Sequence, residues 1–196
     1  AAIGWLEGEF DALGVPFKER VSRTEEALTL MRALWTETRP ELQTARHRLS
    51  GVQVSPAPLQ KPRPPLWIGG MSEGALRRVA RFGDGWHATA ATPETFAQGK
   101  ATVTKFWREA GRAGEPAWSL RVPVFIDGVH RWAVDEKLLR GRHGVRGTVE
   151  QVTEQLAAYQ RLGMAHVALE VSYSVYPAIL ETIELLATEV KPALAR

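Results

Sequence analysis

Two adjacent glycines, Gly69 and Gly70, followed by Met71 and Ser72, form the stretch of this 196-residue sequence best suited to chemistry. They end a short apolar run, Leu66 to Ile68, and open a helical pattern. Where no Cβ projects, an anion can approach main-chain N–H groups. A helix beginning at Ser72 would aim its unpaired amides and positive dipole end at the same point. A tight strand-to-helix turn with Ser72 as its cap uses the same residues, so the spacing alone leaves both roles open.

Other residues carry weaker signals. Trp5, beside Gly4, suits a cleft wall and a core position about equally, whereas Trp86 is expected in the core. Asp84, just before a strand, reads as a turn or capping residue, and Glu9 as a solvated or helix-capping one in preference to a substrate contact. The segment "VHRWAVDEKLLRGRHGVRG" sets Arg131, Lys137, Arg140, Arg142 and Arg146 against only Asp135 and Glu136. Such a loop could grip an anion or simply be solvated. His130 and His143 within it could polarise a substrate, but no pair among the five histidines has metal-ligand spacing. Neither a G-x-S-x-G elbow nor a Walker loop is present, so acyl and phosphoryl transfer lack local support, and no catalytic residue is assigned.

These residues need a scaffold, and hydrophobic periodicity supplies one. Val21, Leu28, Met31 and Trp35, with Ala27 and Leu34, predict an amphipathic helix over 20–35 whose stripe is buried. From Thr36 to Pro65 the pattern dissolves into polar residues and prolines. Strand and helix then alternate four times. Leu66–Gly70 precedes a helix carrying Ala75, Leu76, Val79 and Ala80, and Gly85–Ala88 precedes one over 93–110 carrying Phe96, Val103, Phe106 and Ala110. Ser119–Ile126 precedes a Thr148-capped helix carrying Val149, Val152, Leu156 and Tyr159. His166–Val171 precedes the last helix, around Ile179, Ile183, Leu186 and Val190. The alternation predicts a parallel sheet in a single domain over 1–196, with strands apolar on both faces. Either an open doubly wound sheet or part of a (β/α)8 barrel fits, and four units are too few to close a barrel.

Composition narrows the partners. The net charge of +3 and pI near 9.4 come from 25 basic residues interleaved with 22 acidic ones, so no nucleic-acid stripe is expected. No apolar run is long enough for a membrane span, and the amino terminus lacks a signal-peptide pattern. The absence of cysteine excludes disulfides and thiolate metal sites, and cytoplasmic residence is the expectation.

Several quoted pieces, in this order and spacing, resemble one family. They are Gly4-Trp5, then Glu9-Phe10, "ALGVPFKER", the helix ending Leu34-Trp35, "PLQKPRPPLWIGG", "ALRR", "GDGW" and "GTVEQVTEQLAAYQRLG". Together they resemble the bacterial luciferase-like monooxygenases, in the branch that uses the deazaflavin coenzyme F420. The resemblance implies a (β/α)8 TIM barrel, present here as about strands five to eight, with Ala1 to Trp5 as the end of strand four. A carboxyl-terminal portion of a longer protein is favoured over a natural half-barrel. It further implies an oxidoreductase acting on a small organic substrate, with F420, or alternatively FMN, as cofactor. Gly69, Gly70, Met71 and Ser72 would hold the cofactor phosphate, Met71 through its amide, and Gly4 and Trp5, on the same face, would join them as cofactor-binding residues. A non-catalytic flavin-binding half-barrel is the remaining alternative, and a homodimer is compatible with the family.

Overall fold

The computed structural model describes residues 1–129, 141–171 and 176–195. His130, Arg131, Lys137 and Arg140, singled out in the basic segment, lie outside the described residues. The chain begins with a short helix, α1 (Glu7–Ala12), a 3-10 turn (Phe17–Glu19) and the long helix α2 (Arg20–Thr36). A two-stranded antiparallel hairpin follows, β1 (Leu42–Gln43) with β2 (Arg48–Leu49).

The hairpin is held to α2 by polar contacts rather than burial. Glu26 on α2 accepts from the Thr44 hydroxyl, from the Arg46 amide at 2.8 Å and from the Arg46 guanidinium at 2.8 Å. The Thr44 hydroxyl and Arg46 together hold the Glu26 carboxyl down at about 2 from its ordinary 4.5. A depressed carboxyl stabilises the folded form above its unfolded value and loses that effect as pH falls through its folded value. Acidification from 4.5 towards 2 is therefore expected to release the hairpin from α2. Amide hydrogen exchange at Arg46 should accelerate over that window, and Glu26→Gln should remove the pH dependence.

The remaining elements alternate as the pattern predicts. They are β3 (Trp67–Gly69), α3 (Glu73–Phe82), β4 (Gly85–Thr89), α4 (Pro93–Glu109), β5 (Ala117–Ile126), β6 (Val145–Gly147), α5 (Val149–Arg161), β7 (His166–Glu170) and α6 (Tyr176–Leu185). One π-helical turn (Leu186–Val190) and a last helical turn, α7 (Lys191–Leu194), close the chain. Each middle helix starts at a side-chain cap. Ser72 accepts from the Ala75 amide, Thr92 from Thr95, and Thr148 forms a reciprocal capping box with Gln151.

The sheet is parallel, with β3 beside β4, β4 beside β5, and β7 along Ser119–Pro123 of β5. Among the described residues it stays open, as four strand-helix units require. Ala1 continues it beyond β3, its carbonyl accepting from Gly69 N–H at 2.7 Å and its nitrogen donating to the Trp67 carbonyl at 2.5 Å. The expected tail of a preceding strand therefore occupies a strand's place without regular ladder geometry.

Three expectations need correction. The strands are not apolar on both faces. Ile68, Trp86, Ala88, Leu120 and Val122 are buried in the core, whereas His87, Ser119, Arg121, His166 and Glu170 share the other face. The stripe of α2 is not sealed either: Leu28 is its only buried residue among those described, and Ala27 is exposed. Finally, the loop before α5 contains β6, which pairs with the overhanging end of β5, Val124–Ile126.

Asp84 has the structural role its position suggests. Its carboxylate accepts from Arg63 Nη1 at 2.6 Å and Nη2 at 3.0 Å, and from the Leu66 amide at 2.7 Å. Burial pushes this carboxyl up, but Arg63, the Leu66 N–H and Arg112 together hold it below its usual value. The clip fixes the proline-rich segment where β3 begins. Asp84→Asn is expected to cost about 2 kcal/mol of stability, read by urea unfolding, because a charged acceptor of several donors is lost.

Candidate active site

The polar face of the sheet lines an open cavity of about 1190 Å³. Ala1 to Trp5, Gly69, Gly70, Ser72, Arg78, His87, Arg121, Arg142 and His166 are among the residues around it. The strand register explains the grouping. Gly69 is the partner of His87, His87 of Ser119, and Ser119 of His166, so one inward layer runs across four strands.

Of the residues singled out in the sequence, Gly4, Trp5, Gly69, Gly70 and Ser72 meet at this cavity, and Met71 sits exposed between them. Trp5 is 69% exposed on the cavity wall, which excludes the core position, whereas Trp86 is fully buried. Arg142 of the basic segment also lines the cavity. His143 does not, and Glu9 lies exposed in the first turn of α1.

The two glycines do different things. A Cβ on Gly69 would meet nothing closer than 3.6 Å, so the protein itself does not demand glycine there. What glycine preserves is empty space on the cavity side. Its amide, however, is spent on the Ala1 carbonyl at 2.7 Å and has nothing left for an anion, contrary to the expected role of that N–H. Gly70 has φ +120°, and a Cβ there would lie 2.8 Å from the Ala75 Cβ. Its lack of a side chain lets the chain turn directly into α3.

The amides beyond Gly70 are the available ones. Ser72 Oγ takes the Ala75 N–H at 3.3 Å, and no described residue accepts from the N–H groups of Met71, Ser72, Glu73 or Gly74. Ten residues of helix stand behind them, so the positive end of the dipole adds to the local field. The turn is held from below by Trp86, whose indole N–H donates to the Gly70 carbonyl at 2.8 Å. That ring stacks on Phe96 at 5.3 Å and meets the edge of Trp118 at 6.4 Å.

Arg78 is a functional candidate that the sequence patterns did not isolate. It is 7% exposed, lines the cavity, and has its guanidinium near Gly74, one turn back towards the start of α3. Among the described residues its only ion pair is with Glu25, at 3.7 Å, beyond hydrogen-bond distance. The signal that could have found it is its position three residues after Ala75, on the flank of the buried stripe of α3. A buried guanidinium with unused donors beside free amides is suited to a phosphate or similar anion.

Further along the wall, Arg121 forms a two-pronged pair with Glu170, at 3.0 Å and 2.7 Å. Trp67 leans on His87 and His166, its ring centroid 6.4 Å and 5.3 Å away. Glycine makes room for that indole, since a Cβ on Gly85 would come within 2.8 Å of it. Burial, and next the nearby His166, lower the basicity of His87 below the usual imidazole value. Among the described residues no three His, Asp or Glu side chains gather to hold a metal ion. None of the described helices is long and apolar enough to cross a membrane.

Comparison with known proteins agrees with this architecture. The profile of the family described as luciferase-like monooxygenase matches residues 2–136. An FMNH(2)-dependent dimethylsulfone monooxygenase from Pseudomonas putida is 34% identical over 89 residues, 44% of this chain and 24% of that protein. The chain spans about a quarter to under half the length of the curated relatives it matches. A monooxygenase from Streptomyces bottropensis superposes with a TM-score of 0.80 at 18% identity, covering 97% of this chain and 67% of that one. An F420-dependent secondary alcohol dehydrogenase, solved with an F420-acetone adduct, gives 0.73 at 19% identity, covering 89% and 62%.

Proposed function

We propose that this chain, which belongs to the luciferase-like monooxygenase family, anchors a deazaflavin of the F420 type for hydride transfer to or from a small organic substrate. The observation that carries the proposal is the set of unused donors at the start of α3, the amides of Met71, Ser72 and Glu73 beside the buried Arg78 guanidinium, where Gly70, Ser72 and Arg78 line the cavity. These residues fit an anionic handle. The amides supply directed hydrogen bonds, Arg78 and the helix dipole supply charge, and Gly69 leaves room for approach.

When bound, the deazaflavin supplies the hydride chemistry. The chain's own residues do the rest. Gly70 and Trp86 set the direction of the amides, and Trp5, Trp67, His87 and His166 provide an aromatic wall that a flat ring can lie against. Arg121 and Glu170 neutralise one another on the same wall, so the lining presents hydrogen-bonding groups there without a bare charge.

The FMNH(2)-dependent relative from Pseudomonas putida favours a second reading, in which reduced FMN occupies the same place and oxygen is the second substrate. Titration of the protein with each cofactor, followed by absorbance and fluorescence, separates the two. The expected result is binding of F420 at least about tenfold tighter than FMN, a difference of about 1.4 kcal/mol. The reverse order transfers the site to FMN, and saturation by neither overturns the anchoring function.

A further inference from the structure

On the cavity floor, away from the free amides of α3, three side chains form a continuous hydrogen-bonded chain. Ser119 Oγ lies 2.8 Å from His87 Nδ1 and 3.1 Å from His166 Nδ1. Ser119 is fully buried, while both imidazoles line the cavity. The three residues come from β4, β5 and β7 at one register level, so the strands themselves fix the spacing.

A serine hydroxyl has one proton to give. Among the described residues that hydroxyl has no other side-chain or backbone partner, so it donates to one imidazole Nδ1 and the other imidazole donates its own Nδ1–H to the same oxygen. The two rings are therefore held in opposite tautomers, one presenting a bare Nε2 and the other an Nε2–H. Opposite tautomers in two histidines joined through one hydroxyl are the arrangement of a proton wire.

We infer that His87, Ser119 and His166 form a relay that carries a proton between the two Nε2 positions on the cavity lining. The step balances without any oxidant or reductant. A proton adds to the bare Nε2 of the first ring, and that ring's Nδ1–H passes to Ser119 Oγ. The original hydroxyl proton passes to Nδ1 of the second ring, whose Nε2–H then leaves. Both rings end neutral with their tautomers exchanged, and the wire is reset by transfer in the opposite sense. The acceptor or donor at either end is an ionisable group of a bound small molecule, such as a hydroxyl, carbonyl or amine whose charge changes in the reaction.

The surroundings favour transfer over storage of charge. Trp67 from β3 flanks both rings, and burial, then His166 and Arg121 from β5, disfavour a cation at His87. Glu170 on β7 is engaged by Arg121 through both guanidinium contacts.

The test is side-chain nitrogen NMR of the protein near neutral pH, with Ser119→Ala and Ser119→Thr for comparison. One of the two rings is expected as the Nδ1–H tautomer and the other as Nε2–H. Ser119→Ala should return the Nδ1–H ring to the Nε2–H form, and Ser119→Thr, which keeps the hydroxyl, should restore the pair. If Ser119→Ala fails to fold, the unaltered protein still decides, because the relay requires one Nδ1–H ring and one Nε2–H ring there. In the loaded protein, Ser119→Ala should lower turnover by about 10²-fold at unchanged cofactor affinity, the size expected for losing a positioned proton carrier. Two Nε2–H rings in the unaltered protein, unmoved by Ser119→Ala, would overturn the relay whichever cofactor the protein binds.

Discussion

Gly69→Ala keeps the fold and weakens cofactor binding about tenfold, whereas Gly70→Ala costs about 3 kcal/mol of stability and disrupts binding with it. The contrast follows from what each added methyl meets. At Gly69 the nearest atoms lie 3.6 Å to 3.7 Å away, ordinary contact distance, so the methyl is accommodated and occupies the cavity side instead. A tenfold loss corresponds to about 1.4 kcal/mol of binding free energy. At Gly70 the backbone sits at φ +120°, a conformation that costs an L-residue roughly 1–3 kcal/mol. Its Cβ also lies 2.8 Å from that of Ala75, which is fixed to the backbone of α3 and cannot swing away. Urea unfolding and cofactor titration on both variants give the comparison. Equal behaviour of the two variants would contradict the division of roles.

The second large effect lies outside the cavity. Gly99→Ala is expected to destabilise by about 3 kcal/mol, the upper range for overpacking a core. Its Cβ would fall 2.2 Å from Trp86 Cη2 and 2.9 Å from Cζ2. The indole cannot retreat, being stacked on Phe96 and edged by Trp118. Forced movement would pull Nε1 from the Gly70 carbonyl, so cofactor affinity should fall as well. Adding Trp86→Phe to Gly99→Ala removes the clashing part of the ring. Stability should then partly recover while affinity stays low, because phenylalanine cannot donate to Gly70. Recovery of both properties would show that the indole hydrogen bond does not hold the turn.

The order of strands and helices was legible because each unit has a strong local signature. The run at Leu66–Ile68 ends at glycine, and Ser72, Thr92 and Thr148 stand where helices start. The short elements were not legible. Helix α1 has six residues and no side-chain cap, and the hairpin strands have two residues each within a stretch poor in periodicity. β6 is called into being by the overhang of β5 rather than by its own three residues.

The site was half legible. Gly70 and Ser72 carry local signals of turn and cap, but whether an amide is free depends on distant partners, as the Ala1 carbonyl on Gly69 shows. Arg78 hides within a helical pattern that looks amphipathic without it. His87, Ser119 and His166 are each unremarkable in sequence, separated by 32 and 47 residues. Only the parallel register brings them to one level.

The most direct test of the central claim is backbone amide NMR of the protein as F420 is added. Met71, Ser72 and Glu73 should show the largest amide shifts, accompanied by the Arg78 guanidinium, and Arg78→Ala should weaken binding by about tenfold or more. Saturable binding that leaves those three amides and Arg78 unmoved would place the anion elsewhere and contradict the account.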